Sequence, residues 1–375
     1  MTMDGLTYLD HNATTPAKSA VRDLMLEILA LPGNASSIHK MGREARRRIE
    51  ESRLRIAKLV NASPRATVIF TSGATEANNL ALRGAPYERV LVSAIEHSSV
   101  LHALPQRELI PVLPSGLIDL DALDKMLAGN DRLTLVSVMW VNNETGVIQP
   151  IEKVVEIARK RGALVHSDAV QAAGKLPIDM KKTGVDFLTL SSHKMGGPQG
   201  AGCLILSGCM SVAPMIVGGG QENGLRAGTE NLAAVAGFGL AADLAAANIG
   251  EFRKLGAWRD KIESALIFAA PSLKVFGKDA PRVANTSMFC LPGLSSETQL
   301  IALDLAGVCV SSGSACSSGT VRSSHVLRAM GAGEAEASSS LRVSLGWNTT
   351  EKEVDAFVSE WKKMYERVKS RLSAA

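Results

Sequence analysis

Residues 163–194 read ALVHSDAVQAAGKLPIDMKKTGVDFLTLSSHK, and this stretch decides the fold. Two apolar runs, 163–167 and 187–191, have the length and composition of β-strands that are covered on both faces. The segment between them, 172–183, is long enough for the crossover that joins two parallel strands. Each run leads into polar residues, so the sequence predicts a largely parallel α/β sheet with functional side chains at its carboxyl edge.

The same alternation of strand and helix patterns extends from about residue 43 to about residue 250. Helical patterns occupy 43–60, 75–83, 119–127 and 151–161, and strand patterns occupy 66–70, 89–94, 134–141, 163–167, 187–191 and 202–206. Later in the chain, helical patterns at 252–270 and 351–370 enclose short strand patterns at 274–276, 286–289 and 341–344. We therefore predict a large α/β domain of residues 14–250 and a smaller α+β domain formed by 1–13 with 251–375.

Composition excludes several classes of protein. The 375 residues carry a net charge of only +4, and their basic residues are spread out, so we expect no nucleic-acid partner. The five cysteines include no Cys-x-x-Cys pair, which argues against a zinc site and a disulfide framework. The first residues lack the basic and apolar regions of a signal peptide, and the apolar stretch 232–249 contains Asp243. We expect a cytoplasmic protein with no bound metal and no membrane partner.

Polar residues collect where the predicted strands end. They occupy 71–76, 96–99, 142–146, 167–171 and 191–194. The first of these segments has small residues and hydroxyls at the start of a helix, which is where backbone N–H groups bind anions. Any one of these ends could be turn chemistry. Together they predict a pocket with an anion cradle, the carboxylate of Asp168 and the amine of Lys194.

Pyridoxal 5′-phosphate requires that combination of groups. A lysine amine forms a Schiff base with its aldehyde, and a carboxylate keeps its pyridine nitrogen protonated. Asp168 and Lys194 follow two successive strands, so both side chains are able to reach one pocket. The sequence therefore predicts this cofactor.

Several motifs are similar to those of a known family. YLDHNATTP at 8–16, TSGATEANN at 71–79, SSHK at 191–194 and RAGT at 226–229 resemble the class V, fold-type I pyridoxal-phosphate enzymes. SSGSAC at 311–316 narrows the resemblance to the group I cysteine desulfurases, both nitrogenase-linked and housekeeping, that feed iron–sulfur cluster assembly. The resemblance runs from about residue 6 to residue 365. It implies L-cysteine as substrate, alanine as product and a sulfur acceptor or iron–sulfur scaffold protein as partner.

The resemblance also implies roles for single residues around the cofactor ring. Lys194 would form the Schiff base and move protons, and Asp168 would pair with the pyridinium nitrogen. Gln171 would bond the phenolic oxygen, and His97 would stack on the ring and help to move protons.

Other residues would hold the remaining groups. The residues implied in cofactor binding around the phosphate are Ala74, Thr75, Ser191, His193 and Thr229. Thr229 would come from a partner subunit, which implies a homodimer. The substrate carboxylate would be held by Asn143 and Arg342, with Asn34 near it.

Cys316 would be the nucleophile that takes the sulfur as a persulfide. Its neighbours in 311–324 are mostly Ser and Gly and bury little apolar area, so we expect a mobile, exposed loop. Relatives often read Leu-Glu-Pro-Ser where this chain has Val321-Arg322-Ser323-Ser324, which leaves the partner contacts open. Alternative functions are a selenocysteine lyase, an aminotransferase or other class V enzyme, and a non-catalytic scaffold that binds the cofactor.

Overall fold

The computed structural model describes residues 5–208, 210–313 and 323–372, with side chains up to residue 369. The strands are β1 (Thr7–Tyr8), β2 (Thr67–Thr71), β3 (Arg89–Ser93), β4 (Glu108–Ile110), β5 (Thr134–Ser137), β6 (Leu164–Asp168), β7 (Phe187–Ser191), β8 (Gly202–Leu206), β9 (Lys274–Val275), β10 (Thr286–Cys290), β11 (Val308–Cys309) and β12 (Ser340–Ser344). The helices are α1 (Ser19–Leu29), α2 (Lys40–Leu59), α3 (Ala74–Gly84), α4 (Ser98–Leu101), α5 (Leu120–Leu127), α6 (Ile151–Lys160), α7 (Met180–Thr183), α8 (Leu232–Ala247), α9 (Ile249–Ala269), α10 (Ser296–Leu305), α11 (His325–Ala329), α12 (Glu334–Ser338) and α13 (Glu351–Leu372).

Seven strands between residues 67 and 206 form one sheet. Its order is β2-β8-β7-β6-β5-β3-β4, and β8 runs antiparallel to both of its neighbours while the other pairs are parallel. Leu188, Leu190 and Val165 lie in an apolar cluster on one face, whereas Phe187 and Leu204 lie in a cluster on the other face. The predicted parallel α/β sheet, covered on both faces, is confirmed.

The later part of the chain forms a second apolar cluster around a three-stranded antiparallel sheet. The strand order is β12-β10-β9, and Phe289 of β10 packs edge-on against Trp361 of α13 at 6.4 Å between ring centroids. The N-terminal strand β1 pairs in parallel with β11, and Asp10 forms a bridge to Ser344 at the end of β12. Residues 7–10 are therefore attached to β11 and β12. The two-domain division at residues 13 and 250 stays a prediction.

Most element boundaries agree with the patterns in the sequence. β5 is an exception, because it ends at Ser137 rather than at residue 141, although the N–H groups of Val138 and Trp140 still donate to carbonyls of the neighbouring strand β6. The short elements β1, β4 and β11 have no recognisable pattern of their own. The apolar stretch at 232–249 is the largely buried helix α8. In the described part of the chain, no single helix meets the length and hydropathy of a membrane span, and α8 with α9 meets them only as a pair bent by 67°.

Candidate active site

A cleft of about 860 Å³ opens at the carboxyl ends of the parallel strands. It is closed on the other side by residues that precede α1 and by β12. The predicted residues that line it are Ala74, Thr75, His97, Asn143, Asp168, Gln171, Ser191, His193, Lys194 and Arg342. Topology explains this convergence, since the carboxyl ends of parallel strands meet at one edge of a sheet.

Lys194 lies in a short 3-10 turn, Ser192–Lys194, that directly follows β7. Its Nζ donates to the carbonyl oxygens of Asn12 at 2.5 Å and Ala13 at 2.6 Å. Burial, together with the nearby positive charge of Arg342, lowers the pKa of this amine to about 8. A lysine with a pKa this close to neutrality supplies the free amine that a Schiff base requires.

Asp168 ends β6, one strand away from β7, and only 5% of the residue is exposed. Its Oδ1 accepts the N–H of Val170 at 3.0 Å, and its Oδ2 accepts the side-chain amide of Asn78 at 2.8 Å. These donors fix the orientation of the carboxyl group. Asp168 and Lys194 thus line one cleft, as the sequence predicted, and a carboxyl group is what the ring nitrogen of the cofactor needs as a partner.

His97 lies immediately before α4, opposite the end of β3. Its Nδ1 lies 2.8 Å from Ser99 Oγ and accepts the Ser99 N–H at 3.1 Å. Ser99 Oγ in turn accepts the second N–H of the Asn78 amide at 2.9 Å, so its own hydrogen is left for the imidazole. Burial lowers the pKa of His97. The neutral ring therefore carries its proton on Nε2, and the same Asn78 amide connects it to Asp168.

An anion cradle forms at the start of α3. Gly73 precedes this 11-residue helix with no side-chain cap, which leaves the first backbone N–H groups for a ligand. A side chain added at Gly73 would meet no atom within 4 Å, whereas a Cβ at Gly202 of β8 would lie 2.5 Å from the Gly73 carbonyl carbon. The absence of a side chain at Gly202 thus allows Gly73 to lie close to β8. The outer side of the cradle, at Gly73, stays open.

His193 closes the cradle from the β7 side. Its Nδ1 lies 3.1 Å from the hydroxyl of Thr14. Burial, with a contribution from the Lys194 charge, lowers the pKa of His193 to about 4, so the ring is neutral at pH 7 and binds through one N–H. Together with the hydroxyls of Thr75 and Ser191, this donor set fits a phosphate group.

Arg342 faces this half of the cleft from β12. Only 4% of the residue is exposed, and its Nη2 forms an ion pair with Asp10 at 2.6 Å while its Nη1 donates to the Asn143 carbonyl at 3.1 Å. Its Nε is buried without a hydrogen-bond partner among the described residues. A guanidinium with an unused N–H suits a carboxylate ligand.

Two of the predicted residues lie elsewhere. Thr229 is exposed in the loop before α8, and Asn34 is exposed with its Oδ1 bound to the Ser36 N–H at 2.9 Å. Neither lines the cleft within one chain, and both roles stay predictions. Cys316 lies outside the described residues.

Five further residues belong to the site although the sequence assigned them no role. Asn78 and Asn12 connect the catalytic groups, Asp10 pairs with Arg342, and Lys175 bonds Gln171. Asn78, Asp10 and Asn12 lie inside the motifs at 71–79 and 8–16, and this position was the signal that could have identified them.

Glu144 is the fifth and lies between the residues that flank segment 314–322. Its Oε2 accepts the Ser324 hydroxyl at 2.5 Å, and a Cβ added at Gly313 would lie 2.5 Å from the same oxygen. Burial raises the pKa of Glu144 to about 7, against the opposing effects of Ser324 and Arg342. The carboxyl group thus bonds Ser324 and lies beside Gly313.

Comparison with known proteins gives a consistent picture. Residues 7–357 match the family model of the class-V aminotransferases. Cysteine desulfurase 2 of Trichormus variabilis is 39% identical over 97% of this chain and 94% of its own. A solved NifS-like protein from Rickettsia africae is 38% identical, with a TM-score of 0.90 over 96% of this chain and 99% of its own. A third structure, SspA in complex with cysteine, is 29% identical, with a TM-score of 0.74 over 90% of this chain and 98% of its own.

Proposed function

This chain belongs to the class-V aminotransferase family, and from that premise we propose that it is a pyridoxal-phosphate-dependent cysteine desulfurase. The observation that carries the proposal is the single cleft in which Lys194, Asp168 and the anion cradle meet Arg342. The first three groups fit the aldehyde, the ring nitrogen and the phosphate of the cofactor. The last fits the carboxylate of an amino acid.

When bound, the cofactor supplies an electron sink that accepts the charge released from the α-carbon of the substrate. Lys194 then serves as the base that takes the α-proton and returns it, and a pKa of about 8 suits an amine that must do both near neutrality. The Asn12 and Ala13 carbonyls hold that amine in place. Arg342 and Asn143 orient the substrate carboxylate.

The sulfur transfer uses the thiol of Cys316. An S–S bond forms between the Cys316 sulfur and the substrate sulfur as the bond between that sulfur and the substrate Cβ breaks. The electron pair of the broken bond stays on the carbon, which takes up a proton. L-Cysteine and one enzyme thiol thus give alanine and an enzyme persulfide, which passes its terminal sulfur to an acceptor protein. In this proposal His97 delivers a proton from its Nε2–H, because its Nδ1 already accepts the Ser99 N–H.

A spectroscopic experiment tests this proposal. Purified protein loaded with pyridoxal phosphate should absorb in the visible range, and addition of L-cysteine should change that absorbance while alanine and persulfide appear in equal amounts. Cys316→Ser should keep the cofactor absorbance and form no persulfide. Cys309→Ser provides the matched control, since burial raises the pKa of that thiol and we expect normal turnover.

The contrary results are equally specific. Wild-type sulfide release by Cys316→Ser would place the nucleophile elsewhere. A requirement for a keto acid would favour an aminotransferase.

We also propose a homodimer in which Thr229 of one chain completes the phosphate site of the other. Its exposure on the loop before α8, outside the cleft of its own chain, supports this arrangement. Analytical ultracentrifugation should give twice the chain mass, and Thr229→Ala should weaken cofactor binding without dissociating the dimer. A monomer that binds the cofactor at full strength would contradict the proposal.

A further inference from the structure

Lys175 is a second buried amine beside the active site, and the proposed reaction does not use it. It lies in the crossover between β6 and α7, and only 6% of the residue is exposed. Its Nζ donates to Gln171 Oε1 at 2.6 Å and to Asn12 Oδ1 at 2.7 Å. Burying an amine is unfavourable unless its hydrogen bonds are made, and burial lowers the pKa of Lys175 well below its usual value. An apolar side chain would fill this position at less free-energy cost, so the amine needs another explanation.

The first contact fixes the direction of the Gln171 amide. Its oxygen faces the hydrogens of Lys175, and its Nε2 donates one N–H to the Asn12 carbonyl at 2.9 Å. An amide nitrogen carries two N–H groups, so the second is left for an acceptor in the cleft that Gln171 lines. In the opposite orientation Gln171 would present a carbonyl oxygen there and would repel an oxyanion.

The second contact fixes Asn12, which is 2% exposed. The Asn12 carbonyl that accepts Gln171 Nε2 also accepts the amine of Lys194 at 2.5 Å. The Asn12 side-chain nitrogen donates to the Asn143 carbonyl at 3.1 Å. Lys175 therefore touches the two residues whose positions set the Gln171 N–H and the Lys194 amine.

A second cavity makes this support necessary. It has a volume of about 670 Å³, and both Lys175 and Lys194 line it, while Lys194 also lines the active-site cleft. Lys194 thus lies between two cavities. Its amine is held by the carbonyls of Asn12 and Ala13, and Lys175 in turn bonds the side chain of Asn12.

We propose that Lys175 is a positioning residue that holds the Gln171 amide with its N–H toward the phenolic oxygen of pyridoxal phosphate and holds the Asn12 carbonyl against Lys194. The inference rests on the proposed function and deepens it. Lys175 itself touches neither the cofactor nor the substrate. Its effect on the cofactor is transmitted through Gln171 and Asn12.

A double-mutant cycle between Lys175 and Gln171 tests the inference. We expect Lys175→Met to weaken binding of pyridoxal phosphate about tenfold, the scale of one lost hydrogen bond, and Gln171→Leu to do the same. The double variant should be weaker than Gln171→Leu by clearly less than tenfold, because the part of the Lys175 effect that passes through Gln171 is already lost and only the part through Asn12 remains. Effects that multiply to about a hundredfold would overturn the inference, as would wild-type affinity in Lys175→Met.

The absorbance of the bound cofactor gives a readout that a merely structural role would not move. The pH at the midpoint of the absorbance change should rise by about one unit in Lys175→Met. The phenolic oxygen of the cofactor holds its proton more tightly after it loses a hydrogen-bond donor. Lys175→Gln keeps a donating amide and should retain more affinity than Lys175→Met, and equal loss in both would contradict the inference. Lys182→Met is the control, since Lys182 is largely exposed and should behave as wild type.

The outcomes also separate this inference from the proposed function. Wild-type protein that fails to bind pyridoxal phosphate would overturn both. Wild-type protein that binds it normally, beside a Lys175→Met variant with the same affinity and the same pH midpoint, would overturn the role of Lys175 alone. If Lys175→Met does not fold, the comparison of Lys175→Gln with the wild type on the same two readouts decides.

Discussion

The two walls of the active-site cleft satisfy their polar groups in different ways. On the strand-end wall, both oxygens of Asp168 accept protein hydrogen bonds and the Nδ1 of His97 is held by Ser99. On the opposite wall, the Nε of Arg342 has no partner in the described part of the chain. Near Arg342, burial raises the pKa of Glu144, which does not line the cleft, to about 7. The side chains of Asp168 and His97 are thus held without a ligand, whereas the guanidinium of Arg342 keeps one N–H without an acceptor.

Loss of the Lys194 amine from the strand-end wall should have the largest effect on activity. Lys194→Ala should abolish alanine formation, a loss of at least about 10³-fold, because the base and the covalent link are one group. The protein should stay folded, since the strand-end wall keeps its other hydrogen bonds. Chromatographic detection of alanine checks this expectation. Lys182→Ala, a largely exposed lysine, is the control. Lasting desulfurase activity in Lys194→Ala would remove the amine from the mechanism.

Glu144→Gln measures the free-energy cost of the buried carboxyl group near Arg342. Because the folded-state pKa is about 7 and the ordinary value is 4.5, folding favours the protonated carboxyl group. That contribution is complete below pH 4.5 and is lost as the pH rises through 7, which destabilises the wild type by roughly 3 kcal/mol at pH 8. Glu144→Gln removes this loss. Urea unfolding should therefore show a larger gain of the variant over the wild type at pH 8 than at pH 5.

An exposed glutamate supplies the control for that measurement. Glu156 forms a surface pair with Lys160 that lowers its pKa, so Glu156→Gln should give no stabilisation that grows between pH 5 and pH 8. An equal effect of Glu144→Gln at both pH values would show that the buried carboxyl group carries no such cost.

Arg342→Lys sharpens the comparison because it should affect substrate and not cofactor. A lysine replaces a planar fork with a point charge and has no counterpart to Nε–H, so KM for cysteine should rise about tenfold. The visible absorbance of the bound cofactor should not change. Steady-state kinetics and a spectrum of the same sample test both parts. Arg89→Lys is the control, because Arg89 pairs with Glu108 at 2.6 Å and does not line the cleft. An unchanged KM would end the assignment.

How much of this site the sequence predicted follows from where each residue lies. Asp168 and Lys194 were predictable because each follows a buried apolar strand, and the geometry of a parallel sheet brings such ends together. Lys175 lies inside a crossover, where no local periodicity indicates the direction of a side chain. Its role depends on contact with Asn12, 163 positions away along the chain. Contacts of that kind are set by tertiary packing and have no local signal.

Other features of the site could not be predicted from local patterns in the sequence. Arg342 could be placed on a strand, but its ion pair with Asp10 could not, because 332 positions separate the two residues. Thr229 was assigned to a partner subunit, and one chain does not test that assignment. The mostly parallel sheet, by contrast, was predicted except for its edge strand β4 and the end of β5, because its other strands carry their own apolar patterns.

The bridge from Asp10 to the end of β12 has a consequence for biosynthesis. A ribosome releases Asn12 long before it has made Ser344, whose hydroxyl accepts the Asn12 N–H at 2.9 Å. The growing polypeptide can form most of the seven-stranded sheet before β12, the partner of Asp10 and Asn12, has been synthesised. The proposed site for an amino-acid carboxylate includes Arg342, so it forms only after β12 has been synthesised.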